Sequence, residues 1–247
     1  MSMAKVAALY LARHANGTTA FAGFAAAYRR HAAGVDHQLY IACKGFDGPA
    51  ESVAIAYVRR QAALLKARII MLPDVGFDLG SYRRACGSIA EDTVCFMNSH
   101  ARPRADRWLA LLTAPVVEDA KSIVGATGSL EIHPHIRTNA FAIRRALYTD
   151  LMREDPADKG VCWFVEHGPN NLTRTVIGRG GRALVAGADG SYWALDDKLR
   201  DSCTYRWGEQ KNLLVSDNQT DVFANGTADW RAYLQRLAWG IVEGHQR

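Results

Sequence analysis

The chain has 247 residues, 49% of them hydrophobic and 22% charged, with a net charge of +5 and a pI near 9.0. That balance excludes a disordered or fibrous protein, and no apolar run reaches the roughly 20 residues a membrane span needs. The positive charge fits an anionic partner, either a phosphorylated ligand or a membrane surface. Arg29-Arg30, Arg59-Arg60, Arg83-Arg84 and Arg144-Arg145 are scattered pairs without a nucleic-acid motif, so nucleic acid is not the expected partner. Cys43, Cys86, Cys95, Cys162 and Cys203 show no Cys-x-x-Cys spacing and read as buried free thiols in a reducing compartment. The start, MSMAKVAALYLARHANG, has Arg13 and His14 after a short apolar run and no cleavage pattern. It reads as a first strand, and the protein as cytoplasmic.

Val6–Leu11 is that strand, closed by the loop Ala15-Asn16-Gly17. Thr18 or Thr19 caps a helix expected to run to about Ala33, with Gly34 as its stop. Gln38–Cys43 forms strand two, followed by the loop Lys44–Gly48 and a helix over Glu51–Lys66. Arg68–Leu72 is strand three. It leads into DVGFDLGSY (Asp74–Tyr82), read as a loop whose Gly76 and Gly80 permit turning or close ligand approach. Asp78 lies between those glycines and fits either a ligand contact or the cap of a helix starting near Ser81. Thr93–Met97 is strand four, ending in Asn98-Ser99-His100 before Pro103 and a helix anchored by Trp108, Leu109, Leu111 and Leu112. The alternation of strand and helix with short connections predicts an α/β fold with a mostly parallel central sheet flanked by helices. Its loops gather at the carboxyl ends of the strands, where open α/β sheets hold ligands.

The stretch Thr93–Leu112 resembles the central segment of GT-A-type glycosyltransferases, especially the family-2-like enzymes of bacterial polysaccharide synthesis (rhamnan, O-antigen, capsule). In that family a hydrophobic strand ends in Asn-Ser-Asp or Asp-x-Asp before a Pro-containing loop and Trp-Leu. The acidic triplet there holds a divalent metal and the donor diphosphate. This chain has Asn98 and His100 at two of those positions. The resemblance therefore implies donor contacts from Asn98, Ser99 and His100, and a manganese or magnesium site on His100 and Asn98 that is weak and dependent on the donor. It also places Asp78 against the base or sugar of a nucleotide-sugar donor.

Ser122–Ala126 is a short strand, and His133 and His135 flank Pro134 in extended chain. His-x-His on extended chain can hold a metal, although surface histidines are commoner. Thr138–Ile143 is a strand and Arg144-Arg145 starts a helix, which resembles the family's acceptor-side strand. Arg137 and Asn139 are placed there against a donor phosphate or sugar hydroxyl, since an arginine fork suits phosphate. The apolar run Val161–Val165 delivers Glu166 at its end, followed by His167, Leu172, Arg174, Gly178 and a strand at Ala183–Ala186. This resembles the family's Glu-Asp…Leu-x-x-Arg…Gly pattern, whose acidic pair includes the catalytic base. Glu166 is the implied base, a structural glutamate is the other reading, and His167 stands where the second acid would be.

Leu213–Phe223 is a segment that could close over the site. Asp229–His245 reads as an amphipathic helix, packed on the domain in the plain reading and touching a membrane with a lipid-linked acceptor in the sharper one. A single domain follows, with residues 1–126 as the nucleotide-sugar half and 127–247 as the acceptor half. The expected activity is transfer of a sugar from a nucleotide donor to a saccharide or lipid-linked saccharide hydroxyl. It would be inverting and hexosyltransferase-like, with Arg102, Arg104 or Arg137 assisting the leaving diphosphate. The rival from a different class is a glycosyltransferase-like binding protein that has lost catalysis. An unrelated nucleotide-binding α/β protein would need a phosphate-cradling glycine motif after strand one, and none is present.

Overall fold

Strand β1 (Val6–Arg13) is buried from Val6 to Ala12 without interruption, which only a strand covered on both faces permits. The computed structural model describes residues 6–46 and 53–240. After β1 come α1 (Gly17–Arg30), β2 (His37–Lys44), α2 (Val53–Leu64), β3 (Arg68–Leu72), α3 (Phe77–Cys86) and β4 (Thr93–Met97). The chain continues through β5 (Arg102–Pro103), α4 (Trp108–Glu118), β6 (Ile123–Gly125), β7 (Gly128–Ser129), β8 (His135–Ile136) and β9 (Ala140–Arg144). Helices α5 (Arg145–Leu151), α6 (Lys159–His167) and α7 (Leu172–Gly178) precede β10 (Ala183–Ala186) and β11 (Tyr192–Ala194). The described residues close with β12 (Val215–Ser216), α8 (Asn218–Ala224) and α9 (Ala228–Trp239).

Eight strands form one sheet in the order β11-β10-β6-β9-β4-β1-β2-β3. The pairings β1–β2, β1–β4, β2–β3 and β6–β10 are parallel. Strand β9 runs antiparallel to both neighbours, β4 and β6, and β11 caps one edge antiparallel to β10. The expected architecture, α/β with a mostly parallel central sheet flanked by helices, is the one found. Alternate side chains of β1 supply the two faces. Ala7, Leu9 and Leu11 pack with Leu79 and Tyr82 of α3, Tyr148 of α5 and Val176 of α7. Ala8 and Tyr10 pack with Phe21 and Phe24 of α1, Val58 of α2 and Trp108 of α4. Under the site Phe96 touches Tyr82, Phe141 and Tyr148 at centroid distances of 4.8, 5.3 and 4.7 Å. Each such fully buried ring contributes about 1.5–3 kcal/mol. The Tyr148 hydroxyl also donates to the Leu79 carbonyl at 2.9 Å, which fixes the start of α3.

Several expected boundaries move. Helix α1 starts at Gly17 behind Asn16, with no side-chain cap from Thr18 or Thr19, and it ends at Arg30. Helix α3 starts at Phe77, because Gly76 takes the left-handed conformation at φ 73° and turns the chain there. Gly80 is therefore not a turn. It lies inside the helix, where a Cβ would come within 3.2 Å of Asp155 Oδ1. The run Val161–Val165 is helical, since Asp158 accepts the Val161 N–H at 2.9 Å and caps α6. Leu213–Phe223 is fixed rather than loose: β12 pairs with β5, and Asp217 and Thr220 form a capping box on α8. Helix α9 ends at Trp239 with Gly240 left-handed, and the part of the expected helix from Ile241 on lies outside the described residues, as do Asp47 and Gly48 of the second loop. Cys43, Cys86 and Cys95 are buried, Cys162 and Cys203 half-buried, and all are free. No helix among the described residues is long and apolar enough to cross a membrane.

Candidate active site

The carboxyl ends of β1, β3 and β4 open onto a cleft of about 300 Å³. Arg13 comes from the end of β1, Asp78 from the first turn of α3, and Asn98, Ser99 and His100 follow β4. Helix α6 lies across from them and contributes Lys159, Cys162 and Glu166. The structure thus brings together Asp78, Asn98, Ser99, His100 and Glu166, which are far apart in sequence. Asp78 cannot be the helix cap considered from the sequence, because α3 begins one residue before it.

The triplet is held as a turn. Asn98 Oδ1 accepts the His100 backbone N–H at 3.0 Å, and the Asn98 N–H donates to the Asn139 carbonyl at 2.9 Å. Ser99 is buried, and its carbonyl accepts the Tyr10 hydroxyl. Behind Asp78 the ammonium of Lys44, itself buried, donates to the Phe77 carbonyl at 2.8 Å and stands 3.7 Å from Asp74. Burial raises the Asp78 carboxyl above the usual carboxylate range, with Lys44 and Arg13 working against that rise. Burial likewise lowers Lys44, partly offset by Asp74 and Asp78.

Glu166 is steered by one bond: the Thr138 backbone N–H donates to its Oε1 at 2.9 Å. Its side chain also borders a second cavity, of about 490 Å³. Arg137, Trp163, His167, Arg206, Gln219 and Trp230 line that second space. One wall is aromatic, with Trp230 stacked on Tyr233 at 5.1 Å and both rings substantially exposed. The other is polar: Arg206 lies over Tyr205 at 4.8 Å and donates to Gln219 at 2.9 Å.

Two expected donor residues are not in the first cleft. Arg137 is turned into the second cavity by a 3.0 Å ion pair with buried Asp217 and lies 4.3 Å over Tyr205. Asn139 is buried and accepts the Thr127 hydroxyl at 2.9 Å. Arg102 pairs with Asp221, and with Arg104 it lines a separate groove beside α1. His167 is in the second cavity, its Nδ1 bonded to the Trp163 carbonyl at 3.1 Å. His135 is buried 4.3 Å from the His167 ring, with its Nδ1–H donated to the His133 carbonyl, and burial lowers its pKa to about 4. His135 is thus buried against the chain, and among the described residues neither histidine joins a group placed to hold a metal.

Sequence reasoning missed Arg13, Thr138 and Lys159 in the first cleft and Arg206 and Gln219 in the second. Arg13 was recoverable, since it ends strand one on the same sheet edge as the chosen loops. Nothing local marks Lys159, which tertiary packing of α6 brings to the cleft.

A resident divalent ion does not fit the donor set. Asn98 Oδ1 is already used by the turn and the His100 position offers nitrogen where a hard ion prefers oxygen, which leaves Asp78 and Glu166 as the carboxylates lining the cleft among the described residues. Among the described residues no group of three or more His, Cys, Asp or Glu is placed to hold a metal.

The raised Asp78 carboxyl carries a stability consequence. A group whose folded pKa exceeds its unfolded value contributes stability below the unfolded pKa and loses it as pH rises through the folded one. At neutral pH the ionised carboxylate is thus a net cost. Asp78→Asn is expected to raise the melting temperature at pH 7 by a few degrees, about 2–4 °C per kcal/mol in a chain of this size. The gain should shrink as pH falls through the carboxylate range. Scanning calorimetry at pH 4 and pH 7 checks this, and a melting temperature lowered at pH 7 would refute it.

No protein-family model and no curated sequence matches this chain. Among solved structures it is similar to glucosyl-3-phosphoglycerate synthase from Mycobacterium tuberculosis in complex with Mn2+, UDP and glucosyl-3-phosphoglycerate. That match has 13% identity, covers 58% of this chain and 57% of that one, and has a TM-score of 0.42. It is also similar to a mannosyltransferase from Pyrobaculum calidifontis in complex with GDP-Man and Mn2+, at 12% identity over 60% and 46% of the chains and a TM-score of 0.43. A CMP:2-keto-3-deoxy-manno-octonic acid synthetase complexed with CTP gives 11% identity over 74% and 90%, with a TM-score of 0.44. The chain spans little more than half of the synthase and less than half of the mannosyltransferase. These likenesses are loose, and the chemistry has to be read from the cleft itself.

Proposed function

We propose that this chain is a GT-A-type glycosyltransferase using a nucleotide-sugar donor. Residues 1–126 would supply most of the donor cleft, and residues 127–247 the acceptor cavity. The observation that carries this reading is the position of Glu166, which borders both spaces at once. A transfer between two substrates requires one group at their junction, and a single displacement requires one base there. The acceptor hydroxyl oxygen attacks the anomeric carbon while its proton passes to the Glu166 carboxylate. The bond from that carbon to the diphosphate oxygen breaks, its electrons leave with the nucleoside diphosphate, and the anomeric centre inverts. Asp78, Asn98, Ser99 and His100 would hold the donor. Arg137 and His167 would face the acceptor, with His167 near the reacting hydroxyl.

The acceptor would be a saccharide hydroxyl, free or lipid-linked, as in bacterial polysaccharide synthesis. Trp230 and Tyr233 line the second cavity, which favours a sugar-contacting role for α9 over a membrane-facing one. Manganese or magnesium would take part only as a companion of the donor diphosphate, and no step above runs through it. A second reading is supported by the missing carboxylates of the triplet: a glycosyltransferase-like protein that binds nucleotide sugars or glycans without turnover.

A thermal-shift screen of UDP-, GDP-, CMP- and dTDP-sugars tests the proposal. A true donor at 100 times its dissociation constant adds about 2.7 kcal/mol of stability. A shift together with slow release of the matching nucleotide, a nucleoside diphosphate or CMP for a CMP-sugar, supports the enzyme, and a shift with no release supports the binding protein. No shift with any nucleotide sugar would refute both.

A further inference from the structure

In the segments that this triplet resembles, carboxylates hold a cation and the cation meets the donor phosphates. Here the same positions carry an amide and an imidazole, and no alternative cluster of ligands is present among the described residues. A diphosphate leaving group still needs positive charge beside it. Two permanent cations border the cleft. Arg13 ends β1 with its Nε buried 3.4 Å from Asp74 Oδ1 and no hydrogen-bond partner in range of good geometry. Arg13 also lines the cleft. Lys159 opens α6, is exposed, and makes no ion pair among the described residues.

We infer that Arg13 and Lys159 bind the donor's diphosphate directly, so that this cleft takes a nucleoside diphosphate without a metal ion. The inference rests on the nucleotide-sugar reading above and specifies how that ligand is held. Lys159 has no carboxylate partner among the described residues, and Asp74 is divided between Arg13 at 3.4 Å and Lys44 at 3.7 Å. Asp78 is backed by the Lys44 ammonium, and Glu166 accepts the Thr138 N–H. Arg13 is anchored at a strand end and Lys159 at a helix start, and both line the cleft. A diphosphate between them would draw α6, and Glu166 with it, toward the sheet edge. His100 adds a ring nitrogen in place of a carboxylate that would repel phosphate in the absence of metal.

The test is calorimetric titration of the full chain with UDP, GDP and CDP, first in excess EDTA and then with manganese. The expected result is binding of at least one diphosphate in EDTA, changed less than threefold by manganese. Lys159→Gln should weaken that binding roughly 10–100-fold, the loss of one charge-assisted contact, while leaving the melting temperature in place because the side chain is exposed. The matching nucleoside, which lacks phosphates, should bind both proteins alike. Binding that requires manganese, or that Lys159→Gln leaves unchanged, overturns the inference but not the nucleotide-sugar reading. No binding of any diphosphate in either condition overturns both.

Discussion

Glu166→Gln is expected to leave the melting temperature in place and to lower turnover by roughly 10²–10⁴, about 3–5 kcal/mol of barrier. The amide retains an oxygen to accept the Thr138 N–H, so the side chain keeps its one steering contact. It loses only the ability to take a proton. Donor affinity should stay within a few-fold, because the substitution removes no contact assigned to the diphosphate. Single-turnover kinetics with a responsive donor separates the chemical step from binding. Unchanged turnover would remove Glu166 from the role of base. A large fall in stability would point to the structural glutamate considered from the sequence.

Asp217→Ala should be the most destabilising single change near the site, at about 3–5 kcal/mol. The carboxylate is 1% exposed and does two jobs at once. One oxygen faces Arg137 at 3.0 Å, and the other accepts the Thr220 N–H at 2.9 Å at the start of α8. Removing it leaves a guanidinium buried against Tyr205 without its counter-charge and strips the helix of its cap. For a chain of this length the loss corresponds to roughly 6–20 °C in melting temperature. Asp217→Asn keeps a cap and should fall in between. Urea unfolding decides the matter, and a loss under about 1 kcal/mol would mean that the pair is not buried as described.

The architecture was legible because the strands announce themselves. Val6–Leu11 and Ala183–Ala186 are short apolar runs bounded by turn residues, as strands covered on both faces require, and Arg68–Leu72, at the sheet edge, alternates exposed and buried side chains. The helix starts were less legible, because backbone conformations outweighed side-chain caps. Gly76 opens α3 by taking a left-handed φ, and no capping side chain is involved. The triplet after β4 and Glu166 could be picked out from their place in a resembled pattern, although their nearness to one another depends on where α6 packs. Arg137 looked like a phosphate ligand because a half-buried arginine and a ligand arginine are indistinguishable in sequence. Its partner Asp217 lies 80 residues away. Lys159 was invisible for the opposite reason: an exposed lysine at a helix start is ordinary until the helix is seen to face a cleft.

Strand β9 has a consequence for how the molecule comes into being. It enters from the second half of the chain and fills the gap between β4 and β6, both of which are made earlier. Until residue 144 has left the ribosome, those two strands have no hydrogen-bonded partner between them, and the apolar faces they share with Phe141 and Ile143 stay open to water. The nascent first half is therefore a sheet with an unfilled slot, the sort of unpaired edge that recruits strands from other chains. Truncation at residue 126 is expected to give an aggregation-prone fragment, because β4 and β6 then lack β9 between them.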